Sequence, residues 1–194
     1  MNSRTLVCIA TAFIAAIGLR FANLPLVNFS ALGGLAVLCG VALGRQRSGL
    51  IAGITVVLLA RLLTDTILEV KSSNGFYSSM IFDYLAYSVA VVIAGRLRPR
   101  RLESGIVGGL ISAVVFFLFS NLGVWAMPHG SGPPMYPQTI SGLLDCYVSA
   151  IPFFPKGTLL GDLIFSTAFV GVWQLLVAYA PDGMTKTAMA SRES

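Results

Sequence analysis

Charge is what this chain has least of. Lysine, arginine, aspartate and glutamate together make up 11% of its 194 residues, against about 25% in soluble domains. So few charges cannot cover a water-facing fold, which argues against a soluble domain. There is 1 histidine, His129, set among glycine and proline and read as a solvated loop residue. The 3 cysteines, Cys8, Cys39 and Cys146, have no metal-ligand spacing. They are read as small packed hydrophobes. The His-Glu-x-x-His zinc helix, the Gly-x-Ser-x-Gly elbow and the phosphate-binding glycine loop are all absent from the sequence. Neither an enzyme nor a cofactor is therefore expected. Linkers, low-complexity tracts and internal repeats are lacking too. The net charge of +5 comes with no basic stripe interleaved with aromatics, so no nucleic acid is expected as a partner.

What the chain has is apolar length. Its hydrophobic fraction is 56% and its mean hydropathy +0.82, surface that only lipid can cover. A membrane-crossing helix needs about 20 apolar residues for roughly 30 Å of hydrocarbon. Backbone inside lipid must satisfy itself, so such runs are helices. Six apolar runs are read as spans, three of them at 15 or 16 residues: 5–19, closed by Arg20; 29–44, closed by Arg45; 49–68, carrying Arg61 and Asp65; 80–95, carrying Asp83; 105–127; and 158–179, with Asp162 near its start. The fold expected is all-α: a polytopic membrane helix bundle of about six transmembrane helices. It forms a single domain over 1–180, followed by a short cytoplasmic tail over 181–194. The first run is read as a span rather than a signal peptide, because Arg20 stands where a small-residue cleavage motif belongs.

Basic residues orient the bundle. With the N-terminus inside, nine positives are cytoplasmic: Arg4, Arg45, Arg47, Arg96, Arg98, Arg100, Arg101, Lys186 and Arg192. Three are outside: Arg20, Lys71 and Lys156. The bias places both termini in the cytoplasm, with the bilayer as the first partner. One loop, 128–156, is long and falls outside. It opens with glycines and prolines that cannot be helical, and continues over 139–150 as a short amphipathic helix. It closes on Ile151-Pro152-Phe153-Phe154-Pro155. Its aromatic and proline content predicts a lid at the membrane interface.

In this orientation the polar residues of the spans share one depth, the outer half. They are Arg61 and Asp65, Asp83 with Tyr87 on its face, Asn121 with Trp125 on its face, and Asp162. Arg61 and Asp65 are four apart, hence on one helical face. A charge at the bilayer centre costs roughly 2.5–3.5 kcal/mol on insertion scales, so it faces a cavity or a partner. An outward-opening pocket would gather these groups around a polar small molecule. Three carboxylates against Arg61 leave a negative excess, which favours a ligand with a cationic or hydrogen-bond-donating group. Trp125 and Tyr147 would offer it an aromatic face. That reading requires at least three of Arg61, Asp65, Asp83, Asn121, Trp125 and Asp162 to line one cavity. The alternative stays open residue by residue: a structural ion pair for Arg61 and Asp65, complement to a helix dipole for Asp83 and Asp162, interhelical glue for Asn121, and an interfacial belt position for Trp125.

The stretch from Phe116-Phe117-Leu118-Phe119-Ser120-Asn121 to Leu122-Gly123-Val124-Trp125 resembles an uncharacterised family of bacterial integral-membrane proteins, a domain of unknown function. So do Asn28-Phe29-Ser30-Ala31-Leu32-Gly33-Gly34, Ala150-Ile151-Pro152-Phe153-Phe154 and Leu160-Gly161-Asp162-Leu163. That family implies the inner membrane of a bacterial cell and no activity. In architecture the chain is similar to the substrate-binding S component of energy-coupling-factor (ECF) transporters. This resemblance implies an outer-facing solute pocket and a transmembrane coupling subunit with ATPases as partner. Docking would use alanines four apart on the first helix, here Ala12 and Ala16. A structural or assembly protein without a ligand is the competing reading, and an intramembrane enzyme the least favoured.

Overall fold

A computed structural model describes residues 2–21, 28–73, 75–97, 103–128 and 132–178. His129, Arg98 and the tail 181–194 lie outside the described residues. Within them the chain forms seven α-helices and no strand: α1 (Ser3–Arg20), α2 (Leu32–Leu43), α3 (Arg47–Ser72), α4 (Met80–Ala94), α5 (Glu103–Ala126), α6 (Ile140–Ala150) and α7 (Leu160–Ala178). One wider turn, Pro155–Leu159, leads into α7. Local chemistry marks several boundaries. The Asn2 side chain accepts from the Arg4 amide at 3.2 Å to start α1, and Thr139 Oγ1 accepts from the Gly142 amide at 3.2 Å to start α6. Helix α3 stops at Ser73, which takes a left-handed φ of 53°.

Among the described residues four helical runs are long and apolar enough to cross a membrane: α1, α3, α5 and Pro155–Val177. The other two expected spans are shorter. Helix α4 has 15 residues and α2 only 12, the latter about 18 Å at 1.5 Å per residue. Helix α2 begins late because Asn28, with φ 60°, and the residues after it are not helical. It is apolar all round, and it lies in the middle of the bundle against α1, α3, α4, α5 and α7. Leu35, Val37, Leu38 and Cys39 are wholly buried there. Protein rather than lipid surrounds α2, so its length need not match the bilayer. The outside of the bundle is apolar: Val70, Ile14, Ile51 and Leu175 are among its exposed side chains. Exposed apolar surface on this scale marks a molecule that faces lipid.

Helices α1 to α5 alternate in direction along the chain. At one end Arg4 Nη1 donates to the Leu176 carbonyl at 2.8 Å, joining the start of α1 to the end of α7. Gly44, after α2, meets Gly95, after α4, at the same end. At the other end the Lys71 ammonium sits 5.0 Å from the centre of the Phe21 ring, joining the ends of α3 and α1. Small residues bring the backbones close. A Cβ on Gly34 would run into Phe165 of α7, and one on Gly109 into Asp162 and Ser166. Between helices in lipid, such close contact replaces the hydrophobic effect as the source of cohesion.

Candidate functional site

Every polar residue singled out in the sequence sits toward the end of the bundle that carries Lys71, yet they occupy different surroundings. The first group is an ion network between α3 and α4. Arg61 Nε donates to Asp65 Oδ2 at 2.9 Å. Its Nη2 donates to Asp83 Oδ2 at 3.2 Å and to the Tyr77 hydroxyl at 2.6 Å. Tyr77 in turn donates to Asp83, and the Tyr84 hydroxyl donates to Asp65 Oδ2 at 2.9 Å. The Arg61, Asp65 and Asp83 side chains are all buried. One guanidinium thus serves two carboxylates, leaving a surplus negative charge that the two phenols help to disperse. Burial pushes the Tyr77 phenol up, and Arg61 opposes this, so Tyr77 acts as a neutral donor.

The second feature is a cavity of about 380 Å³ walled by α4, α5, α6 and the turn before α7. Asp83 and Asn121 line it, with Tyr77, Phe116, Phe117 and Thr158. The segment between α5 and α7 supplies Tyr136, Ser149, Phe153 and Phe154 to the wall. Only two of the six residues named for a pocket reach this cavity, fewer than the three that the sequence reading required. Arg61 and Asp65 stand behind Asp83, consumed by the ion network.

Trp125 and Tyr147, expected to offer a ligand their faces, are used for fastening instead. Trp125 Nε1 donates to the Pro137 carbonyl at 2.9 Å, and Gln138 Nε2 returns a bond to the Trp125 carbonyl at 2.6 Å. The Tyr147 hydroxyl donates to the Leu118 carbonyl at 2.8 Å. Phe117 packs between Tyr147 at 5.7 Å and Phe154 at 4.8 Å, ring centre to ring centre. These contacts hold α6 and its flanks down on α5. Tyr87 is buried in the core against Phe116, 5.2 Å away. Asp162 is buried separately, among α2, α5 and α7. Ala12 and Ala16 are 2% and 0% exposed inside the chain's own core. They present no open face to a coupling subunit, because α1 spends its small stripe on its own bundle.

Sequence reasoning did not name Tyr77, Tyr84, Phe116, Phe117 or Thr158 as site residues. Tyr77 lies in a connection, where span depth says nothing. The phenylalanines look like any other apolar residues of a span. The one available signal was the run of aromatics in 116–125 and 151–155.

No curated protein and no solved structure matches the chain. Residues 1–183 match the family of unknown function DUF6580, in agreement with the resemblance read from the sequence. With nearly its whole length covered, this helical, membrane-type chain belongs to that family.

Proposed function

We propose that the protein is a solute-binding subunit of the bacterial inner membrane, with six crossing segments, both termini in the cytoplasm and the cavity facing outward. The observation that supports this is the cavity itself. At about 380 Å³ it falls in the range of small-molecule sites, roughly 300–1,000 Å³. Its wall has their composition: aromatic rings with a carboxylate and an amide converging among them. The surplus charge of the ion network reaches the wall at Asp83. The favoured ligand is a small molecule carrying a cationic or hydrogen-bond-donating group, held between Phe116, Phe117 and Phe154. The segment 132–158 is its lid. Catalysis is not part of this reading. A coupling subunit with ATPases, as for the S components of ECF transporters, remains a proposal on architecture alone, since Ala12 and Ala16 are spent within the chain.

Native mass spectrometry of the protein released from gentle detergent tests the reading. Wild-type protein should carry a small-molecule adduct. Ser149→Phe, which fills the cavity from α6, should lose it while keeping the wild-type melting temperature. An adduct that survives Ser149→Phe would place binding elsewhere. Wild-type protein with no adduct, and no stabilisation by any of a panel of cationic and neutral solutes, would favour a structural membrane protein.

A further inference from the structure

Asp162 belongs neither to the ion network nor to the cavity wall. It is the third residue of α7 and 3% exposed. Among the described residues its Oδ2 is shielded and forms no hydrogen bond of good geometry, and the same holds for Ser112 Oγ on α5, although the Ser112 hydroxyl lies close enough to turn toward the carboxyl group. The two side chains are neighbours. A Cβ on Gly33 of α2 would overlap the carboxyl group, so the α2 backbone lies directly against it. The Ser166 hydroxyl faces the same seam, but it donates to backbone carbonyls, those of Asp162 and of Gly105. From α4 the titratable neighbour is Tyr87, which lies beside Ser30. The groups facing Asp162 from α2 and α5 are Gly33, Gly109 and Ser112, none of which carries charge. Arg61, the buried cation among the described residues, is committed to Asp65 and Asp83.

An ionised carboxylate here would be a bare charge in a low-dielectric seam, with nothing to neutralise it. The neutral acid avoids most of that cost. We infer that Asp162 is a proton-binding site, whose carboxyl holds a proton on Oδ2 at neutral pH and donates it to Ser112 Oγ. The Ser112 hydroxyl can also donate to an ionised Oδ2, but one neutral hydrogen bond offsets only part of the cost of a buried charge. With the acid protonated, Oδ2–H donates to Ser112 Oγ, forming one O–H bond and one hydrogen bond. A metal ion fits less well, because the close-packed α2 backbone takes the space its ligand shell needs. Thr158, one turn before Asp162, and Phe116, one turn beyond Ser112, both line the cavity. The site therefore lies roughly 6 Å below the cavity wall, four residues at 1.5 Å each, and exchanges its proton on that side. The inference stands whether or not a solute binds above it.

Infrared spectroscopy of the full chain in nanodiscs reads the proton directly. At neutral pH the wild type should show a protonated-carboxyl band worth one group per chain. The band should vanish in Asp162→Asn and shift in Ser112→Ala. Melting temperature gives a second readout. The folded state holds a proton that the unfolded chain gives up near its ordinary carboxylate value of about 3.9, so wild-type stability falls as pH rises. Relative to wild type, Asp162→Asn should gain stability as pH rises above about 4, and the gain should level off once the folded carboxyl has lost its proton. Should Asp162→Asn fail to fold, the Ser112→Ala shift decides. A neutral-pH band that neither variant alters, or no such band, overturns the inference. So do parallel pH profiles for wild type and Asp162→Asn, or a wild-type melting temperature raised by sodium but not by choline chloride, which would make Asp162 a metal-ion ligand.

Discussion

Arg61 illustrates how a membrane bundle tolerates a full charge. A lone guanidinium in lipid is costly, but this one makes three hydrogen bonds and faces two carboxylates. Removing one member of a buried ion group leaves its partner uncompensated, at a cost of about 3–5 kcal/mol. Asp65→Ala should therefore lower stability by that order. Adding Arg61→Ala should recover only part of the loss, because Asp83 is then left without its cation. A double-mutant cycle read by unfolding in micelles measures the coupling, and a coupling energy near zero would show that the two side chains do not support each other. The pairing of Arg61 with Asp65 was legible in the sequence, since residues four apart on a helix must meet. Its extension to Tyr77 and Asp83, 16 and 22 residues away, was not. Those contacts depend on how the chain turns between α3 and α4.

At the scale of elements, α6 and its flanks are the part most open to change. Helix α6 points Ile140, Leu144 and Val148 outward at four-residue spacing and buries Gly142 and Cys146. Its position was readable from Thr139 as cap and from its amphipathic pattern. Its attachment was not, because the bonds from Trp125 and Tyr147 run to backbone carbonyls, which no side-chain pattern records. Trp125→Phe deletes the donor to Pro137. A hydrogen bond contributes about 0.5–1.5 kcal/mol net, so amide exchange across 132–139 should quicken roughly two- to tenfold. The melting temperature should stay near wild type, since the bundle core is untouched. Exchange mass spectrometry checks this, and unchanged exchange in that segment would mean that Trp125 does not hold the lid.

The whole molecule is polarised along its long axis. Arg4 and the glycine contact that precedes Arg45 mark one end. Lys71, the ion network, the cavity and the lid mark the other. In the proposed orientation the first end is cytoplasmic. Single cysteines placed in a cysteine-free background at positions 45, 98 and in the tail should label only from the cytoplasm. Those at 71 and 129 should label only from outside. Labelling of position 98 from outside would invert the molecule and turn the cavity toward the cytoplasm.

Composition and apolar run length by themselves determined that this chain is an α-helical membrane protein. Both are sums over many residues, and no single packing detail can undo them. The depth at which the charges cluster was also in the sequence, because span order and loop charge set it. Only the tertiary structure decided which of those groups meet. Equal depth leaves the angle around each helix axis unspecified, and packing on the short, central α2 sets that angle. Asp83 and Asn121 were thereby turned to the cavity, Arg61 and Asp65 to each other, and Asp162 to Gly33 and Ser112. Ala12 and Ala16 were turned inward by the same packing.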